Sequence, residues 1–274
     1  MLLSILVPCY NEQETIRQII NKILIQDISI SKEIIIVDDF SNDNTQKLLM
    51  EYKNNTNIKI FRHESNKGKG AAIKTAKKYA TGELIIIQDA DLEYNPDDYK
   101  NLIEPIINNK FKVIYGSRVL NQKRYNAKGF TSKLRVFGNH ALTIISNILN
   151  NQNLTDAHTC YKVFHKEVFD KINLEEDDFS FCPEVTTKIS KLGYKIKEVP
   201  ISYEGRSISQ GKKIRFIDAF KALKALIKYR FWEKTWLRLN KLYKNVPGDY
   251  CKSVIPDPIP NSVVKPFSAN GTLS

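Results

Sequence analysis

Three carboxylates stand together in Asp89-Ala90-Asp91-Leu92-Glu93, directly after the apolar run Leu84-Ile85-Ile86-Ile87. Asp-x-Asp offers two hard oxygen donors two residues apart, a pattern suited to Mg²⁺ or Mn²⁺ and, through the metal, to a diphosphate. A strand followed by an Asp N-cap and a turn gives the same pattern, and on this motif alone the plainer reading is preferred. Further charge follows other short apolar runs. Asp38-Asp39 comes after residues 33–37, and Gly116-Ser117-Arg118 after residues 112–115. The polar stretch 204–213 holds Arg206, Lys212 and Lys213 between Gly205 and Gly211, a composition expected of a mobile cationic flap.

The elements that must position these groups are legible from periodicity. Residues 2–7 predict a strand stopped by Pro8, and residues 14–24 a helix with Ile16, Ile19, Ile20, Ile23 and Leu24 on one face. Strands are expected at 33–37 and 58–62, with a helix at about 44–53 between them. Asn66-Lys67-Gly68-Lys69-Gly70 is a glycine-rich turn into a helix expected to end at Gly82. Such a turn either presents N–H groups to a phosphate or is only a turn; it lacks the Walker A spacing. Four apolar residues at 84–87 are too few for an ordinary helix and read as a buried parallel strand. The alternation predicts an α/β fold built on a mostly parallel, doubly wound sheet with helices on both faces. Its ligands belong at the carboxyl edge, where the acids fall.

Beyond it, a helix through about residue 108 is expected to kink at Pro105, and a strand is expected at 112–115. Residues 132–149 predict a long amphipathic helix with Leu134, Phe137, Ala141, Leu142, Ile145, Ile148 and Leu149 inward. A strand at 160–164, a helix stopping at Gly193 and a last strand at 196–203 follow. Residues 215–244 form a basic amphipathic pattern with Phe216, Phe220, Leu223, Ile227, Trp232, Trp236 and Leu239, which suits an anionic bilayer or docking on the domain equally. Residues 246–274, rich in Pro, Ser and Asn, are expected to be disordered.

A net charge of +12 implies an anionic partner: nucleic acid, a lipid surface or a phosphorylated substrate. Cys9, Cys160, Cys182 and Cys251 form no Cys-x-x-Cys pair, which points to reduced thiols and a cytosolic setting. The start lacks a basic signal-peptide region, and no apolar run reaches the roughly 18 residues of a spanning helix. The four histidines are scattered and read as structural or surface groups.

In order along the chain stand Val7-Pro8-Cys9-Tyr10-Asn11-Glu12, Val37-Asp38-Asp39, the glycine turn, Asp89 to Glu93, Gly116-Ser117-Arg118, Thr155-Asp156, Glu198-Val199-Pro200 and Tyr203 to Lys213. In these the sequence, from Leu2 to about Arg230, resembles glycosyltransferase family 2, within it the dolichyl-phosphate mannose synthase-like group. The resemblance implies a GT-A fold of Rossmann-like type and metal-dependent, inverting transfer from a UDP- or GDP-sugar to a polyprenyl phosphate. It divides the chain into a GT-A domain at 1–215 (donor half 1–115, acceptor half 116–215), a helical extension at 216–245 and a tail at 246–274.

By the same resemblance Pro8, Tyr10, Glu12, Val37, Asp39, Lys69, Asp89 and Ala90 line the nucleotide-sugar pocket. Asp91 and Glu93 hold Mg²⁺ or Mn²⁺, and Arg118, Arg206 and Lys212 neutralise the diphosphates. Asp156 and Glu184 are candidates for a general base, needed only by a hydroxyl acceptor, since a phosphate oxygen is already ionised. Lys133 and Arg135 are plausible contacts to an acceptor phosphate. The expected setting is cytoplasmic, at the inner face of the cell membrane. Two alternatives stand beside this. One is transfer to a hydroxyl of a glycan or glycoconjugate; the other is a basic membrane- or nucleic-acid-binding module, disfavoured because aromatic-interleaved basic motifs are missing while the acid sites look intact.

Overall fold

The computed structural model describes residues 1–120, 130–206 and 217–232, and for 130–135, 217 and 232 the backbone alone. Chain order runs β1 (Leu2–Cys9), α1 (Ile16–Ile25), β2 (Ser31–Asp38), α2 (Thr45–Leu49), β3 (Ile58–Arg62), α3 (Lys69–Tyr79), β4 (Leu84–Ile87), α4 (Tyr99–Ile107) and β5 (Val113–Ser117). It continues with α5 (Phe130–Asn150), β6 (Lys162–His165), α6 (Lys166–Asp170), α7 (Phe181–Lys191), β7 (Lys197–Pro200) and α8 (Ile217–Ile227), the last extended by a π turn to Trp232.

One seven-stranded sheet, ordered β3-β2-β1-β4-β6-β5-β7, is parallel throughout except at β6, which runs antiparallel to both neighbours. The reversal has a local cause. Residues 155–161 cross the carboxyl edge, with Thr155 Oγ1 2.7 Å from Ser117 Oγ at the end of β5, so the strand that follows can only run back down. Side-chain alternation divides the core into two layers. Leu3, Ile5, Val7, Ile34, Ile36, Leu84 and Ile86 meet the apolar faces of α1 and α4 on one side. Leu6, Ile35, Val37, Ile85 and Ile87 meet α3 and α7 on the other. Helices therefore cover both faces, and every loop carrying an acid after β1, β2 and β4 opens on one edge.

Several sequence expectations are corrected. Helix α3 ends at Tyr79 with Ala80 extended, and Gly82 serves a different purpose: its N–H donates to Ser4 Oγ, and a Cβ there would strike the Leu2 carbonyl. Helix α6 was not anticipated, whereas α4 runs through Pro105 to Ile107, close to the end expected for it. The largest correction concerns α5. Phe137 and Ile148, expected inward, are 59% and 75% exposed, and Ile144 is 46% exposed. Thr143, Ser146 and Asn150 are buried in their place. The chain requires a polar inner face there. Thr143 Oγ1 accepts from Ala157 N–H, Asn147 exchanges two hydrogen bonds with Leu154, and Ser190 Oγ donates to the Asn150 carbonyl.

Helix α8 packs on α5 and α7, burying Ala222, Ala225 and Leu226 together with Tyr229 from the turn after it. The remainder of the expected terminal helix, with Trp236 and Leu239, and the tail lie outside the described residues. No described helix is long and apolar enough to cross a membrane.

Candidate active site

The site begins with backbone that pins two loops together. After β1, Asn11 takes a positive φ of 51° and donates its N–H to Ser41 Oγ, while Glu12 N–H donates to Thr45 Oγ1 and Asp39 N–H to the Cys9 carbonyl. The loops bearing Tyr10 and Asp39 are thereby held side by side. Pro8 and Val37 sit opposite each other in the parallel ladder. Val37 is fully buried with Leu6 and Ile35 in the layer that packs on α3 and α7. Ala90 is buried among the residues of the opposite layer.

Asp39 organises the glycine turn. Its carboxylate accepts N–H groups from Lys67 at 2.9 Å and Gly68 at 2.7 Å, and its Oδ1 lies 2.6 Å from His63 Nδ1. The turn's first amides are thus directed at a protein carboxylate. The glycines have a second reason. Gly68 holds φ at +99°, and a Cβ on Gly68 or Gly70 would collide with the carbonyls of Asp177 or Glu176. Ala71 N–H donates to that Asp177 carbonyl. The turn is shaped for close backbone approach by the 175–178 loop.

Lys69, first residue of α3, reaches across to Asp89 at the end of β4, with 2.5 Å from Nζ to Oδ1, and donates to Cys160 Sγ at 2.9 Å. Burial would raise the Asp89 carboxyl, but the Lys69 ammonium, hydrogen bonds from Cys160 and Lys69 and the Lys162 charge together hold Asp89 below the usual range. Burial, then the Asp89 carboxylate, push the Cys160 thiol up to about 12, so it stays protonated.

Arg206 joins the remaining acids. Its Nη2 donates to Glu12 Oε2 at 2.6 Å and lies 3.6 Å from Asp91 Oδ2, its Nε donates to the Asp91 carbonyl, and its backbone N–H donates to Glu93 Oε1 at 2.6 Å. Glu93 Oε2 accepts from Tyr203 Oη at 2.8 Å. Each Glu93 oxygen therefore already holds a protein donor, which places Glu93 as the anchor of the segment leading to Arg206. Asp91 accepts Glu93 N–H on Oδ1 and has its side chain 24% exposed.

This donor set fits Mg²⁺ or Mn²⁺ bound in the sparse way those ions accept, by one carboxylate with substrate phosphates and water completing the shell. Among the described residues no cluster of three metal-ligating side chains forms. The geometry favours Asp91 as the protein ligand.

Arg118, next after β5, forks onto Asp156: Nε to Oδ2 at 2.6 Å and Nη2 to Oδ1 at 2.8 Å, with its own N–H also on Oδ2. Its guanidinium stacks over the Tyr203 ring at 5.1 Å. Burial would raise Asp156, and the Arg118 charge, its hydrogen bonds and the Lys162 charge together lower it. Glu198 of β7 accepts the N–H groups of Thr155 and Asp156, fixing the loop from below.

Glu12, Asp91, Glu93, Arg118, Asp156 and Arg206 thus form one connected network, and Asp39, Lys69 and Asp89 a second. Tyr94 links them: its hydroxyl accepts Cys160 N–H, and its ring lies 5.2 Å from that of Tyr203. Glu184 is brought to neither. Fully buried in α7, it accepts from Glu175 and Glu176 N–H and from Lys188 Nζ, tying down the loop that docks on the glycine turn. Lys212 lies outside the described residues, as do the side chains of Lys133 and Arg135. Sequence reasoning assigned no role to Tyr203, Tyr94, Glu198 or His63. Tyr203 and Glu198 were detectable, since each stands in a stretch that carries the family resemblance; Tyr94 and His63 carried no local signal.

The sequence profile of glycosyl transferase family 2 matches residues 4–173. The chain is 31% identical over 233 residues to the UDP-N-acetylglucosamine–dolichyl-phosphate N-acetylglucosaminyltransferase of Methanococcus voltae, covering 78% of this chain and 90% of that protein. It is 29% identical over 245 residues to a dolichyl-phosphate beta-glucosyltransferase of Trichomonas vaginalis, covering 85% and 74%. Among solved structures, glucosyl-3-phosphoglycerate synthase from Mycobacterium tuberculosis in complex with Mn²⁺ and UDP-glucose superposes with a TM-score of 0.64 over 84% of this chain and 79% of that one. At 13% identity that likeness is one of fold, the GT-A arrangement.

Proposed function

The chain belongs to glycosyltransferase family 2 and is a glycosyltransferase, and from that premise we propose that it moves a sugar from a nucleoside diphosphate donor to a polyprenyl phosphate, at the cytosolic side of a membrane. The names of the relatives support the acceptor class. The observation that carries it in this molecule is the state of the two candidate bases. Both Asp156 oxygens are occupied by Arg118, which also keeps the group ionised, and both Glu184 oxygens are occupied in the α7 network. A hydroxyl acceptor would need a base within hydrogen-bond reach. A phosphate oxygen, already ionised at neutral pH, needs none.

In this reading residues 1–115 contribute the donor half and 116–215 the acceptor half. Glu12, Asp39 and Asp89 border the nucleotide sugar, with Tyr10 at the pocket mouth. Asp91 would hold a Mg²⁺ or Mn²⁺ ion, which when bound would supply charge neutralisation to the departing diphosphate. Arg206, held between Glu12 and Asp91, is pre-positioned to do the same from the protein side, and Lys212 is the second cation of that loop. Arg118 is a fixed wall charge, oriented by Asp156 and backed by Tyr203. Lys69 holds Asp89 ionised at the sugar side of the pocket. Direct displacement by the acceptor oxygen inverts the anomeric centre.

The test is product formation by the full chain with labelled UDP- and GDP-sugars, Mn²⁺, and either a polyprenyl phosphate or the matching polyprenol. Lipid-linked sugar from the phosphate and not from the alcohol is expected. No lipid-linked product across the donor panel would overturn the reading, and transfer to the alcohol would restore the hydroxyl alternative.

A further inference from the structure

Between α6 and α7 stand four consecutive acids, Glu175, Glu176, Asp177 and Asp178. Such a run repels itself and ordinarily stays in water. Here each carboxylate meets a cation from a different position. Asp177 lies 2.5 Å from Lys74 of α3, Asp178 2.8 Å from Lys221 of α8, Glu175 3.1 Å from Lys188 of α7, and Glu176 2.8 Å from Lys228 in the π turn after α8. Exposed pairs of this kind contribute little singly. Glu176 has more: its Oε1 also accepts from Tyr229 Oη at 2.6 Å. Tyr229 is 1% exposed and its ring covers Lys188 Nζ at 4.4 Å, so the donor to Glu176 is itself held by packing. A hydrogen bond to a charged acceptor from a fixed group is one of the stronger contacts available.

The backbone of the same acids meets the glycine turn. The carbonyls of Glu176 and Asp177 come so close to Gly70 and Gly68 that a Cβ on either glycine would collide, and Ala71 N–H donates to the Asp177 carbonyl. The turn in its own next contacts holds Asp39, through the Lys67 and Gly68 N–H groups, and Asp89, through the Lys69 ammonium. Direct contacts therefore run unbroken from Tyr229 and Lys228 through Glu176 to two acids of the candidate site. None of these links passes through Arg206 or Asp91.

We propose that Tyr229 and Lys228 are positioning residues for donor binding. They hold Glu176, and with it the 175–178 loop, against the glycine turn, so that Asp39 and Asp89 are set in place before the nucleotide sugar arrives. This rests on the reading of residues 1–115 as the donor half, and it gives the π turn after α8 a part in donor affinity separate from the part of Arg206 in the transfer step.

The test is calorimetric titration of the full chain with UDP and with GDP, each with Mn²⁺, for the parent, Tyr229→Phe, Lys228→Met and Glu176→Gln. Tyr229→Phe keeps the buried ring and Lys228 has a side chain 44% exposed; circular dichroism confirms the fold of each variant. Each is expected to bind the parent's nucleotide about three- to tenfold more weakly. Combining Tyr229→Phe with Glu176→Gln should add no further loss, because both remove the same contact. Lys228→Arg should recover most of the affinity lost in Lys228→Met, and Lys224→Met, at an exposed cation of the same helix, should bind as the parent does. In turnover the donor KM should rise in step while kcat at saturating donor stays within about twofold. Equal affinity in the parent, Tyr229→Phe and Glu176→Gln would overturn the proposal and leave the donor reading standing. So would a fall in kcat with donor affinity unchanged. A parent that binds neither nucleotide would sink the donor reading and the proposal with it.

Discussion

Arg206 Nη2 donates to Glu12 Oε2 at 2.6 Å, a contact between residues 194 positions apart in the chain. It ties the loop after β1 to the segment beyond β7, and through Asp91 and Glu93 to the loop after β4. Three separate stretches of sequence are thereby made into one wall of the candidate site, with the acids and the cation preassembled.

Removing the Arg206 guanidinium should slow transfer more than it weakens donor binding. Arg206→Ala is expected to lower kcat by about 10²- to 10³-fold, the usual effect of deleting one preorganised donor to developing charge. Arg206→Lys should recover only part, because one ammonium cannot reach Glu12 and the Asp91 carbonyl at once. Steady-state rates at saturating donor measure this.

Asp91 and Glu93 should separate when metal dependence is titrated. Asp91→Asn is expected to abolish Mn²⁺ activation. Glu93→Gln should cost about tenfold in apparent metal affinity, since it only orients the site through Tyr203 and the Arg206 backbone. Mn²⁺ activation curves for the two variants decide it; equal losses would make Glu93 a direct ligand.

The Arg118–Asp156 pair is buried, with side chains 16% and 5% exposed. Truncating either partner alone leaves an uncompensated charge and should destabilise the fold by about 3–5 kcal/mol, while Arg118→Met with Asp156→Leu should cost less than either single change. Urea unfolding of the two single variants and the double one completes the cycle.

Burial, with help from the Lys162 charge, lowers the His158 pKa from 6.5 to about 4. Its ring Nε2 has no hydrogen-bond partner among the described residues. In the unfolded chain this histidine takes up a proton near pH 6.5, and in the folded chain only near pH 4. The unfolded state binds more protons across that window, so His158 contributes stability above pH 6.5 that is lost as pH falls toward 4. The variant His158→Gln should show a flatter decline of Tm between pH 6.5 and 4 than the parent. Parallel curves would exclude the assignment.

The sequence by itself determined the strands, since short runs of branched apolar residues bounded by turn formers have one economical use. It determined too that Asp39, Asp91 and Arg118 leave the sheet at one edge, because parallel strands deliver their ends to the same side. Tertiary structure alone decided what those charges do. That Arg118 is spent on Asp156, that Glu184 locks a loop, and that Glu93 holds Tyr203 and Arg206 all depend on contacts across tens of residues, which periodicity does not encode. It also decided which way α5 faces. An apolar stripe at helical spacing records that one side avoids water; only the hydrogen bonds of Thr143, Asn147 and Asn150 to Ala157, Leu154 and Ser190 fix which side meets the protein.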